Sequence, residues 1–500
     1  MTRTTVAIVG AGFGGVCMGT KLKRYGIPFT MLEKADRVGG VWRDNVYPGA
    51  ACDIPSHLYC YSFEPSHDWS RTYGQAAEIQ SYIEHCARKY GVLDHVRFGA
   101  EVTGADFDAD SGRWTIKLAD GAELQARFLV AATGQLSLPA EPSFPGLDGF
   151  GGKVFHSARW DHDYEMTGKR VAVIGSGASA IQFVPQIAPK VAKLHLFQRS
   201  APYVLPKPDR PYTPLEKYLY RHFPIALVAS RTRKYLYHEA RVIPMTKGHG
   251  MSLIKLAFQR NLRRQVSDPQ LREKLTPDYP IGCKRILISN EWYPAITRPN
   301  VEVIAAGLNE VRGDRVVGAD GTEREVDAIV FGTGFATNDF LAPITIRGLD
   351  GMELRESWRD GAEAYLGMTV SGFPNLFILY GPNTNLGHNS IIYMLESQTD
   401  YALGAIRHVG TYGSSWVNVR PEVQEHFNQE VQQRLGETVW EAGCTSWYRT
   451  ADGKNTNNWP SYTIEYRRRT RFFDAGHYDL HPPDVHAAVP ATAAATSGKE

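Results

Sequence analysis

Two apolar runs without polar alternation, each stopping at a glycine-rich turn, organise this chain. Val6-Ala7-Ile8-Val9 leads into Gly10-Ala11-Gly12-Phe13-Gly14-Gly15, and Val171-Ala172-Val173-Ile174 leads into Gly175-Ser176-Gly177-Ala178-Ser179-Ala180. Unbroken apolar runs of this length predict strands covered on both faces, as in a parallel sheet flanked by helices. A second strand follows each turn: Phe29-Thr30-Met31-Leu32 after the first, Leu194-His195-Leu196-Phe197 after the second. The runs Phe128 to Ala132 and Val326 to Phe331 repeat the pattern and end in Thr133-Gly134 and Thr333-Gly334. Apolar residues recur at helical spacing within 71–90, 391–409 and 421–437, while short strands with glycine turns fill 96–130.

This order predicts an α/β fold with two Rossmann-like dinucleotide-binding domains, the second inserted in the first. Pro139, Pro142 and Pro145 mark the entry linker. Pro206, Pro208, Pro211 and Pro214 open a mostly helical insertion at about 206–280. The run Leu376 to Leu379 returns the chain to the first unit. Expected boundaries are 1–142 and 341–481 for the first domain, 143–340 for the second, and 482–500 for a disordered tail rich in Pro and Ala.

The turns carry chemistry. The first glycine of each permits a tight bend, the second lets a diphosphate approach the backbone, and the third position (Gly15 or Ala180) lets the helix pack on the strand. Glu33 lies 23 residues past Gly10, where a carboxylate accepts hydrogen bonds from an unphosphorylated ribose. The equivalent residue 23 past Gly175 is Gln198, followed by Arg199 and Ser200. A neutral residue beside a guanidinium suits a 2'-phosphate. The first site therefore reads as FAD and the second as NADP(H).

Composition narrows the partners. The net charge of +2 over 500 residues provides no strong field for nucleic acid or an anionic membrane, so neither is expected as a partner. No run of 18 apolar residues occurs, and the opening strand leaves no room for a signal peptide. The six cysteines, at 17, 52, 60, 86, 283 and 444, form no Cys-x-x-Cys pair. They read as reduced thiols of a cytoplasmic protein, monomeric or weakly dimeric. The cluster His156, Asp161, His162 and Asp163 matches no zinc pattern, and no metal is expected.

Two longer strings give a resemblance. Phe150-Gly151-Gly152-Lys153-Val154-Phe155-His156-Ser157-Ala158-Arg159-Trp160-Asp161 matches F-x-G-x-x-x-H-x-x-x-W-[P/D]; Gly39-Gly40-Val41-Trp42, Tyr47-Pro48-Gly49 and Asp53 match G-G-x-W…[F/Y]-P-G-x-x-x-D. With the two turns, they make residues 1–475 resemble the flavin-dependent Baeyer-Villiger monooxygenases. That resemblance implies an NADPH- and O2-dependent enzyme converting a ketone to an ester or lactone through a C4a-peroxyflavin. A heteroatom oxygenase of the same fold, acting on sulfides or amines, is the alternative. A disulfide reductase would need a redox cysteine pair beside the flavin.

Such chemistry needs a fixed cation against developing negative charge. The string Tyr279-Pro280-Ile281-Gly282-Cys283-Lys284-Arg285 looks like the family segment supplying it, with Arg285 as the cation and Lys284 towards the NADP phosphate or ribose. A buried Arg needs an anion, and Asp53 is the family's candidate, although an Asp before Ile-Pro also braces a local turn. His156 and Trp160 are implied to sit at the hinge between the domains. Candidate cofactor contacts are Gly10, Gly12, Gly15, Glu33, Gly40, Trp42, Asp53, Thr133, Gly134, Gly175, Gly177, Ser179, Gln182, Arg199, Ser200, Lys284, Gly334, Asn383 and Trp447. The segment at about 443–460 resembles a mobile active-site loop. Its Trp447-Tyr448-Arg449 and Asn458-Trp459-Pro460 departures resemble an aryl-ketone (4-hydroxyacetophenone monooxygenase-like) subgroup.

Overall fold

The computed structural model describes residues 2–444 and 446–482. Its first sheet is built round Thr2–Val9, which pairs in parallel with Phe29–Leu32 on one side and Glu123–Ala131 on the other. Val6, Ala7 and Ile8 are fully buried, which explains why this strand has no polar face. Val96–Arg97 extends one edge, and the antiparallel strands Arg113–Leu118 and Val102–Asp108 extend the other. Leu376–Ile378 pairs in parallel with Leu129, Val130 and Ala131, so the last third of the chain completes a sheet begun by its first residues. Helix Phe13–Arg24 covers one face and packs on helix Ile391–Tyr412.

The second sheet has five parallel strands in the order Val301–Ile304, Lys193–Phe197, Arg170–Ile174, Ala328–Phe331 and Lys153–His156. The chain crosses between the units twice. At those crossings Ala140 N donates to Gly334 O and Ala336 N donates to Leu138 O, so the two linkers pair with each other. Between Pro214 and Lys274 lie five helices: Pro214–His222, Pro224–Ala240, Val242–Lys247, Met251–Gln265 and Pro269–Lys274. Thr213 opens the first with a reciprocal cap to Glu216. The tail expected to be disordered falls, from residue 483, outside the described residues. Among the described residues no helix is long and apolar enough to cross a membrane.

The cysteine expectation is corrected. Cys283 and Cys444 form a disulfide across a separation of 161 residues, with Cα atoms 6.2 Å apart. Local spacing cannot reveal such a pair, because tertiary packing makes it: Gly282 lies so close to Val439 that a Cβ there would approach its side chain to 2.9 Å. Cys17, Cys52, Cys60 and Cys86 are free and buried.

Candidate active site

Both glycine turns take the same shape. Gly10 has φ +99° and Gly175 φ +106°; a Cβ would meet Ala132 O at 2.6 Å and Gly332 O at 2.5 Å, respectively. No other residue type fits. A Cβ on Gly15 would run into the Gly10 carbonyl, fixing how closely the first helix packs. Gly12 and Gly177 differ. A Cβ on Gly12 would come no nearer than 3.6 Å to Gly40 Cα, and one on Gly177 would meet nothing within 4 Å. Glycine is not demanded there by protein neighbours, so the space beside it suits a ligand diphosphate at a helix N-terminus. Gly134 and Gly334, at φ +73° and +85°, also open onto space with nothing within 4 Å. Thr133 and Gly134 line a small cavity with Ala336 and Thr337 at the linker crossing.

Glu33 ends the second strand of the first unit, 4% exposed. Its carboxylate accepts from Ala11 N at 2.8 Å and Ala35 N at 3.0 Å, and pairs with Arg43 at 2.9 Å. Arg43, unremarked from sequence, thus holds the Glu33 carboxylate in place. In the second unit Gln198 is buried, 1% exposed, and donates to Lys274 O at 2.8 Å. Arg199 is exposed, and Lys284 Nζ donates to Ser200 Oγ at 2.9 Å. Burial, then the nearby Arg199 charge, lowers the Lys284 pKa. Neither cation has an ion-pair partner among the described residues, which leaves a positive site for an anion.

Arg285 and Asp53 form an ion pair between segments 232 residues apart. Asp53 raises the Arg285 pKa against the cost of burial. Burial alone would raise Asp53; Arg285 overrides it and, with Lys207, holds the carboxyl below its usual range. Lys207 was not singled out from sequence. Its Nζ donates to Cys52 O at 3.0 Å and sits 4.9 Å from the Tyr73 ring centroid. Arg285, Lys207 and Arg241 all bear on Asp53, while Asp209 also faces Lys207. Tyr448, 1% exposed, lies near Arg285; burial pushes its phenol up to about 12 despite that charge.

Several candidates make contacts within the protein. Gln182 accepts from Tyr47 OH at 2.9 Å and donates to Ala51 O at 2.9 Å, clamping the second unit onto the segment that precedes Asp53. Asn383, at φ +55°, donates to Asn455 O at 2.8 Å. With Asn385, Asn457 and Asn458 it docks the 443–460 segment, an amide network that sequence reading missed. Trp447 accepts from Thr337 through its carbonyl, and Trp42 donates to Tyr59 OH at 3.2 Å. Ser179 precedes helix Ala180–Ile187 without capping it. His156 ends its strand, 4% exposed; Nδ1 accepts from Ala158 N at 3.0 Å, its ring lies 6.1 Å from Phe335 at the linker crossing, and burial lowers its pKa. Trp160 packs 5.3 Å from Phe183.

The flavin-binding monooxygenase-like family model matches residues 3–345. A Baeyer-Villiger monooxygenase of Streptomyces coelicolor is 48% identical over 96% of this chain and 93% of its own length. One of Pseudomonas aeruginosa is 45% identical over 95% and 91%. Among solved structures, a steroid monooxygenase bound to NADP superposes with a TM-score of 0.86 at 31% identity, covering 96% of this chain and all of the other. The chain belongs to the flavin-binding monooxygenase-like family. Within it, the protein is an FAD-containing, NADPH-dependent Baeyer-Villiger monooxygenase.

Proposed function

We propose that Arg285, held by Asp53, carries the charge work of ketone oxygenation, and that Arg199, Ser200 and Lys284 bind the 2'-phosphate of NADPH. FAD, when bound, supplies hydride acceptance and oxygen activation. Gly12 and Gly40 would admit its diphosphate, and Glu33 would accept from its ribose. The protein supplies position and charge. Asp53 fixes the Arg285 guanidinium in one orientation, so no reorganisation is needed when negative charge develops on the ketone oxygen. Lys207 offsets Asp53, leaving Arg285 free to stabilise that charge. The observation that carries this reading is the ion pair itself, which joins segments 232 residues apart. Arg rather than Lys suits the place, because a planar guanidinium keeps its charge and its direction in a part-buried pair.

The 447–460 run supports an aryl-ketone preference, and a cytoplasmic, monomeric or weakly dimeric enzyme belongs to the same proposal. The test is a panel of aryl ketones, cyclic aliphatic ketones and sulfides with purified holoenzyme, products identified by mass. Ester formation fastest on aryl ketones is expected. Preference for cyclic ketones would remove the subgroup assignment, and sulfoxides without esters would remove the role given to Arg285.

A further inference from the structure

Helix Pro224–Ala240 is built inside out. Its inward face is polar: Ser230 Oγ meets His57 Nδ1 at 2.9 Å, Arg231 donates to His57 O at 2.9 Å, and Glu239 accepts from Asn389 at 2.7 Å and Thr463 at 2.8 Å. Its outward face is apolar. Ile225 is 79% exposed, Val228 55%, Leu236 60% and Tyr237 66%, with Ala229 and Ala240 also exposed and Arg233 at one edge. The spacing 225, 228, 232, 236 is that of one helical stripe, broken only by Thr232. The adjoining helix Pro214–His222 adds Leu215 and Tyr218, 67% and 56% exposed. Scattered exposed apolar residues need no explanation, but a continuous stripe marks a covered surface.

Charge identifies the cover. Residues 214–265 carry eleven Lys and Arg against Glu216 and Glu239, a net +9, whereas the whole chain has +2. Both acids are engaged internally, Glu216 by Arg210 and Thr213. Lys217, Arg233, Lys247, Lys255 and Arg260 are exposed and have no ion-pair partner among the described residues. A second copy would bring +9 against +9 in a two-fold contact. A surface that is anionic at its face and apolar beneath satisfies both properties at once.

We propose that the helical insertion docks on an anionic lipid surface, lying in the headgroup plane with Ile225, Val228 and Leu236 entering the acyl boundary. No span is involved. The whole-chain charge conceals this region because the remaining residues are net acidic. The opposite face of the same helix reaches the first unit: His238 Nδ1 lies 3.0 Å from His388 O, so the docked helix stands between the bilayer and the segment carrying His388.

The test uses the full-length holoenzyme in flotation with vesicles of phosphatidylcholine alone and of phosphatidylcholine mixed with phosphatidylglycerol. The enzyme should float only with the mixed vesicles, and less as salt rises. Ile225→Glu with Leu236→Glu should cut the bound fraction at least about tenfold. Flavin content and vesicle-free ketone oxygenation should be unchanged. Ile225→Ser with Leu236→Ser, which adds no charge, should weaken binding in the same direction. Failure of the parent enzyme to float overturns the proposal, as does full binding by both variants. A concentration-dependent dimer abolished by these variants would assign the stripe to a second copy instead.

Discussion

The two glycine turns share a backbone and differ in how the residue after the next strand is held. In the first, Glu33 is buried and fixed by two amide donors and Arg43 before any ligand arrives. In the second, the equivalent Gln198 is bonded to Lys274 O, and on the proposed reading recognition passes to exposed Arg199 and to Lys284 on a segment 85 residues further on. A rigid reader loses little freedom on binding and suits a cofactor that stays. Side chains that must be ordered each time suit a coenzyme that comes and goes. The turn sets where a dinucleotide lies; the residues after the next strand set how firmly.

The largest break in this comparison should come from Gly12→Ala. Its methyl group meets no protein atom closer than 3.6 Å, so the fold should survive while FAD is lost. The flavin-to-protein absorbance ratio measures this, and full occupancy in a folded variant would mean that the first turn holds no cofactor. Arg285→Ala comes next. It should retain FAD and its reduction by NADPH, while ester formation falls at least about a hundredfold, the loss of one preorganised donor at about 2.7–4 kcal/mol. Stopped-flow separates the two half-reactions, and unimpaired ester formation would make the pair with Asp53 structural only.

Arg199→Ala should raise the KM for NADPH about ten- to a hundredfold and leave NADH nearly untouched, since one charge-assisted hydrogen bond is worth about 1.5–3 kcal/mol. Equal effects on both coenzymes would show that Arg199 does not face the phosphate. The smallest effect sharpens the contrast. Gln198→Ala should change the NADPH-to-NADH ratio by less than about twofold while lowering thermal stability by about 1 kcal/mol, the net worth of its bond to Lys274 O. A large change in coenzyme choice would return Gln198 to the groove.

Much of the site was legible because its signals are either local or long. The turns are legible since only glycine fits at Gly10 and Gly175, and the Arg285 and Asp53 strings because the family pattern spans many residues. Gln198, Gln182 and Asn383 show what side-chain type alone leaves open. An amide has donors and acceptors that serve a ligand or the protein's own backbone equally well, and only tertiary packing decides which. Cys283 and Cys444 escaped because their partnership is a contact between distant segments. A thiol titration of denatured, unreduced protein should find four free thiols, and six after reduction. The charge of the helical insertion escaped because a chain-wide sum averages over regions of opposite sign.

Strand Leu376–Ile378 has a consequence for how the molecule is born. Every strand of the second sheet lies between residues 153 and 331, so that unit can close as soon as its last strand leaves the ribosome. The first sheet, although started by Thr2, still lacks the neighbour of Leu129 to Ala131 at that moment. At roughly 5–20 residues per second, it waits several seconds more for that strand. The second unit therefore emerges as a finished body inside an unfinished one.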